Sequence, residues 1–211
     1  MKCEAKMMKD VLKRMQEIGT KKHDLVYATE RSLSRIDPAH VAFCICDCQN
    51  SGAFAFMAQD VLNVLPKQGD VSLDLEGEEL VLTGDGLRCA IPRADDGNGP
   101  ATEPKFIATT RCVIRDSMKE LRESVACCAK VSDHLAIRMG EDGLHVEAEG
   151  YQRVIRAEGA GEERAQYPCA YVKSILRSQW TEMTWDKDYP VRFEYGGVRT
   201  YLAPRIEQKE G

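Results

Sequence analysis

Lysine and arginine recur at helical spacing in this 211-residue chain, and such rows of cations are its best candidates for chemistry. Across 6–22 (KMMKDVLKRMQEIGTKK), a turn of about 100° per residue puts Val11, Leu12, Met15 and Ile18 on one side and Lys9, Lys13, Gln16 and Thr20 on the other. With Arg14, Lys21 and Lys22, the segment holds six basic and two acidic residues, a net +4 in a chain of formal net charge −5. A helix with an apolar back and a basic front on an acidic protein suggests a localised surface for a polyanion, although a solvated amphipathic helix has the same pattern. Farther on, Arg115, Lys119, Arg122 and Lys130 flank the apolar row Met118, Leu121, Val125 and Cys128. Lys173 and Arg177 lie opposite Val172, Ile175 and Leu176. The helical windows 6–22, 57–67, 115–130 and 169–179 carry +4, 0, +1 and +2, which leaves −12 for everything else. Cations gathered on helices, without an aromatic stacking platform or a recognition-helix motif, point to contacts with phosphate rather than with bases.

Other chemistry has weaker support. Nine scattered cysteines sit in apolar patterns and are expected to be reduced, small hydrophobes in a cytosolic or nuclear compartment. Cys44, Cys46 and Cys48 share one face if their segment is a strand, so three thiols could converge. A tetrahedral zinc site usually takes CxxC pairs in loops with a distant partner pair, and no such spacing occurs, so no metal is expected. Neither nucleophile elbow, phosphate loop, HExxH nor paired carboxylates at a familiar spacing is found, so the chain is not expected to be an enzyme or to need a cofactor. No apolar run approaches the ~18 residues of a membrane span, and no signal-peptide pattern opens the chain, so no membrane partner is expected.

The elements that must position these residues occur in two passes. Strand patterns at 2–7, 24–29, 32–37, 40–48 and 52–56 surround the first helix and precede a second at 57–67, whose outer face carries Gln59 and Asn63. Strands at 70–75, 79–83 and 87–92 follow across glycine turns. Residues 94–104 (ADDGNGPATEP) have no periodicity and form a linker. Then the order restarts: a strand at 105–114, a helix at 117–131 with Asp116 as N-cap or first-turn acid, strands at 134–139, 144–148 and 152–158, a helix at 169–179, and strands at 183–186, 191–195 and 199–203. The halves end alike, GLRCAIP at 86–92 and GVRTYLAP at 197–204. The expected fold is α+β: two tandem pseudo-repeated domains, 1–93 and 107–211, joined by a connector at 94–106, each with two helices packed on antiparallel sheets.

Three segments resemble DNA sliding clamps of the proliferating cell nuclear antigen (PCNA) type. They are TYLAPRIE at 200–207, SRIDPAHVAF at 34–43 and GEDGLHVEAEG at 140–150, and the likeness is collinear over nearly the whole chain. The resemblance implies a ring of three two-domain subunits, a homotrimer whose helices face a hole enclosing double-stranded DNA irrespective of sequence. It implies a clamp loader, and DNA polymerase and other clamp-binding proteins that dock through short peptides. By position, Lys9, Lys13, Arg14, Lys21, Lys22, Arg115, Lys119, Arg122, Lys130, Lys173 and Arg177 would face the pore. A partner-peptide groove between the domains would use Ile36, His40, Val41, Phe106, Pro190, Tyr201, Ala203 and Pro204. Arg153, Val154, Ile155 and Arg156 would lie on the edge strand that pairs with the next subunit. The stretch 93–112 is about ten residues shorter than the resemblance leads one to expect. That shortening leaves a second expectation open, a monomeric clamp-like protein that binds partner peptides and encircles nothing.

Overall fold

Apolar residues every third or fourth position, with no β-branched run, wind the first basic segment into α1 (Ala5–Glu17). Its buried face is Ala5, Met8, Val11, Leu12 and Met15. Each large apolar side chain so buried contributes roughly 1.5–3 kcal/mol. The computed structural model describes residues 1–18, 24–94, 99–100 and 102–205. α1 ends at Glu17 with Ile18 extended, one residue before the expected stop at Gly19 and Thr20; Gly19, Thr20, Lys21 and Lys22 lie outside the described residues.

The chain divides into two units, Met1–Glu103 and Pro104–Gly211. In the first, one antiparallel sheet runs in the order β1 (Lys2–Glu4), β6 (Asp70–Glu76), β7 (Glu79–Gly84), β8 (Leu87–Ile91). A second set runs β5 (Phe54–Met57), β2 (Leu25–Ala28), β3 (Ser32–Ile36), β4 (Ala42–Asp47). α1 packs on β1 and β4 and also touches α2 (Ala58–Val64); α2 packs on β5 and β8. Each helix therefore bridges the unit's two sheets, and the core between them holds Met8, Leu12, Met15, Leu33, Phe56 and Leu73.

The second unit repeats this plan. One sheet runs β9 (Thr110–Val113), β15 (Glu182–Trp185), β16 (Val191–Tyr195), β17 (Val198–Leu202), and the other β14 (Arg164–Pro168), β10 (His134–Gly140), β11 (Gly143–Ala148), β12 (Tyr151–Ile155). α3 (Met118–Val131) lies on β10, β11 and β12, and α4 (Cys169–Ile175) on β14 and β17. The buried indoles are satisfied: Trp180 Nε1 donates to Ile175 O at 2.8 Å and Trp185 Nε1 to Glu163 O at 2.9 Å. Among the described residues no helix is long and apolar enough to cross a membrane.

Several boundaries differ from the periodicity. The second helix ends at Val64 because Pro66 pushes Leu65 into an extended conformation. The strand expected over 105–114 begins only at Thr110; before it, Asp186 accepts from the backbone N–H of both Thr109 and Thr110, which ties the chain down outside any ladder. The strand expected over 152–158 is two strands. β12 pairs with β11, and β13 (Glu158–Ala160) pairs with β9, so the chain changes sheets at 156–157. Gly159 makes this crossing possible, since a Cβ there would collide with Arg111 O. β14 was not anticipated. The N-cap of α3 is Ser117, not Asp116, and its hydroxyl donates to Arg156 O at 2.7 Å instead of capping the helix.

Candidate nucleic-acid interface and partner surfaces

On α1, Lys6, Lys9 and Lys13 follow one another at three- and four-residue steps and are all exposed. Arg14 departs from the expected basic face. It is only 8% exposed, because at i+3 from Val11 it falls on the buried side. Beside the lysines, Gln16 donates to Gln59 at 3.1 Å and Gln59 to Asn63 at 2.7 Å, a neutral ladder linking α1 to α2.

In the second unit Lys119 and Lys130 are exposed on α3, Lys173 on α4, and Arg177 in the turn after it. Arg115 is exposed in the turn that precedes α3, not on the helix itself. Among the described residues, Lys9, Lys13, Lys119, Lys130, Lys173 and Arg177 make no ion pair. Arg122 is different. Its Nε donates to Leu176 O at 2.6 Å and its Nη2 to Ser178 O at 2.9 Å, so the guanidinium is committed to the chain just past α4. The opposite flank of α3 is balanced: Glu120 and Glu123 pair with Arg153 of β12 at 3.8 and 3.3 Å. What remains is a set of hydrated, unpaired ammonium groups on the helices, suited to diffuse attraction to phosphate.

The expected groove residues fall in both units. In the first, Ile36 and Val41 are half-buried and His40 is exposed. His40 has φ 56, a left-handed conformation uncommon for a side chain of its size, held by its N–H to Asp37 O at 2.7 Å. In the second, Phe106 packs with ring centroids 5.5 Å from both Tyr189 and Tyr201, under the Arg192 guanidinium at 4.6 Å. Tyr189 Oη donates to Lys105 O at 2.8 Å, and Tyr167 Oη to Tyr189 O at 2.9 Å, which fixes the cluster. Pro190, Ala203 and Pro204 are half-buried and Tyr201 is buried. Tyr189 and Arg192 were not anticipated; the Asp188-Tyr189-Pro190 turn ahead of a strand was the available signal.

β8 and β12 are outer strands, each paired on one side only in its own unit, to β7 and β11. Val154 of β12 is 40% exposed, Arg153 is ion-paired, and Arg156 is exposed just past the strand end. Ile155 lies on the same outer strand with its side chain fully buried, because alternation turns it inward.

Burial pushes the Cys112 thiol up to about 12 and, before any neighbouring charge, those of Cys128 and Cys169 to about 11, so all three stay protonated at neutral pH. Cys44 and Cys46 are buried and Cys48 half-buried. Among the described residues no group of three or more His, Cys, Asp or Glu is arranged to hold a metal.

No protein-family model matches the chain. Among curated proteins it is similar to the DNA polymerase sliding clamps of Methanocella arvoryzae, 25% identical with 97% of each chain covered, and Methanosarcina barkeri, 24% identical with 96% of each covered. Those alignments run to 242 and 238 positions against 211 residues here, so the relatives are longer. Among solved structures it is similar to PCNA from Thermococcus kodakaraensis (TM-score 0.74, 19% identical, covering 97% of this chain and 99% of that one). It is also similar to A. fulgidus PCNA bound to the C-terminal region of FEN-1 (TM-score 0.73, 19% identical, 99% and 98% covered) and to a PCNA2–PCNA3 complex from Sulfolobus tokodaii (TM-score 0.72, 15% identical, 97% and 99% covered). The fold is the DNA clamp fold, and the family resemblance carried by the three sequence segments holds.

Proposed function

We propose that this chain, with sliding clamps for relatives and their fold for its own, is a DNA sliding clamp of the PCNA type. It is a polymerase processivity factor that encircles duplex DNA and tethers replication and repair enzymes, and it catalyses nothing itself. The observation that carries this reading is the pair of matched half-folds with unpaired lysines concentrated on their helices. Domains 1–93 and 107–211, with the connector 94–106, repeat one plan, and three copies close head to tail. β8 of one copy pairs with β12 of the next, which satisfies two open edges and generates a closed ring. Lys9, Lys13, Lys119, Lys130, Lys173 and Arg177 then face the duplex. At about 8 Å of screening in physiological salt, their attraction keeps the ring coaxial without fixing its position.

A clamp loader opens the ring onto DNA. Partner proteins dock short peptides with an apolar anchor on the Phe106–Tyr201 cluster of the second unit; one neighbour was solved with the C-terminal region of FEN-1 bound. The test is polymerase run length on primed circular DNA, with a loader. Adding the chain should extend synthesis many-fold per binding event. Run length unchanged by folded protein that still binds partner peptides would reject the processivity role, and a 23.6 kDa single chain in light scattering would favour the monomeric, peptide-binding alternative.

A further inference from the structure

Arg122 occupies a position on α3 where a phosphate contact was expected, yet its side chain serves the protein. The two carbonyls it engages, Leu176 O and Ser178 O, lie past Ile175, the last residue of α4. Carbonyls at a helix end have no intrahelical partner, and a cation there also meets the negative end of the helix dipole. α4 has only seven residues, too short to be stable alone, and its exit turn is also held by Leu176 N–H to Val172 O at 2.9 Å, Arg177 N–H to Ser174 O at 3.1 Å, Ser178 N–H to Ile175 O at 3.3 Å and Trp180 Nε1 to Ile175 O at 2.8 Å. Arg177, exposed, stands between the two carbonyls that Arg122 grips, and Lys173 lies one turn earlier. All three line a groove of about 190 Å³ between α3 and α4, floored by Val125, Ala126 and Leu176.

We propose that Arg122 is a positioning residue for the basic surface of the second unit. Its planar fork clasps the 176–178 turn so that Lys173 and Arg177 meet duplex phosphates as a pair. The inference rests on the sliding-clamp reading for its ligand, and on the geometry alone for the clasp. A lysine at 122 would keep the charge but, as a point donor, could not span both carbonyls. Charge and geometry are therefore separable.

The experiment compares full-length Arg122→Lys and Arg122→Met, each also combined with Lys173→Ala and Arg177→Ala. Affinity for a linear duplex is read across a salt series, and amide hydrogen exchange is read at 176–178. Both Arg122 variants should weaken duplex binding, by up to about tenfold, and speed exchange at 176–178, with no further weakening once Lys173 and Arg177 are gone. Wild-type binding by Arg122→Lys, or an equal loss from Arg122→Met with and without the other two cations, would overturn the proposal in favour of a direct phosphate contact. Should the unaltered protein fail to bind linear duplex even at low salt, the phosphate role of Lys173 and Arg177 falls, while topological linkage stands or falls by retention on circular DNA. The exchange arm still decides the clasp: faster exchange in Arg122→Lys supports it, and unchanged exchange refutes it.

Discussion

Arginine and lysine do different work in this chain. Arg35 is buried and donates to Met15 O at the end of α1, Arg122 donates to two carbonyls beyond α4, Arg153 forms ion pairs with two glutamates, and Arg192 covers the Phe106 ring. The lysines on α1, α3 and α4 are exposed and unpaired. A planar, weakly hydrated guanidinium suits fixed acceptors, whereas a hydrated ammonium suits a moving polyanion. Spacing located both kinds on helices but could not separate them, since the acceptors of Arg122 lie more than 50 positions away and Arg14 differs from Lys13 only by one helical step. Charge reversal at Lys13 and Lys119 should therefore abolish most duplex affinity, and removing each contact should lower the salt slope by about 0.9. Stability should change by no more than about 0.5 kcal/mol, because both sites are exposed. Binding isotherms across salt and thermal melts check the two halves.

His134 carries a pH effect. Burial, then the neighbouring Arg205 guanidinium, lowers its pKa, against a smaller opposing pull from Asp133. Neutral Nδ1 accepts from Arg205 Nη1 at 2.7 Å, and Arg205 N–H donates to Gln166 O at 2.8 Å. With the folded pKa below the unfolded one, the stabilisation is complete above about pH 6.5 and is lost as pH falls through the lower, folded value. The protection of the Arg205 amide, measured against its intrinsic exchange rate at each pH, should fall on acidification across that range, and His134→Gln should remove that fall.

At the scale of elements, strands with clear alternation were legible where one sheet holds the whole segment. β10, β11, β16 and β17 match their periodicity within about two residues. The break inside 152–158 was not legible, because Val154 and Ile155 continue a plausible strand while the change of sheet depends on Gly159 approaching Arg111. β14 escaped notice because five residues with only Ala165 and Tyr167 turned inward give too little alternation. The outer strands have a measurable consequence. Val154 is exposed on β12, so Val154→Lys should leave each copy folded while placing a charge on the pairing edge. Light scattering should then report the 23.6 kDa single chain instead of a trimer at the same concentration.

For the whole molecule, the duplication was evident from the sequence because the order of elements and the GLRCAIP and GVRTYLAP endings repeat, and the sheets show the same order apart from β13, which has no counterpart in the first unit. The aromatic cluster was less legible, because Tyr189 and Arg192 join Phe106 and Tyr201 through packing that no spacing rule encodes. The account depends on topological linkage to DNA rather than on tight binding. The most direct test is to load the protein onto nicked circular DNA, remove free protein, and cut the circle once. Linkage predicts long retention on the circle and rapid loss after linearisation. Equal retention before and after the cut would contradict it.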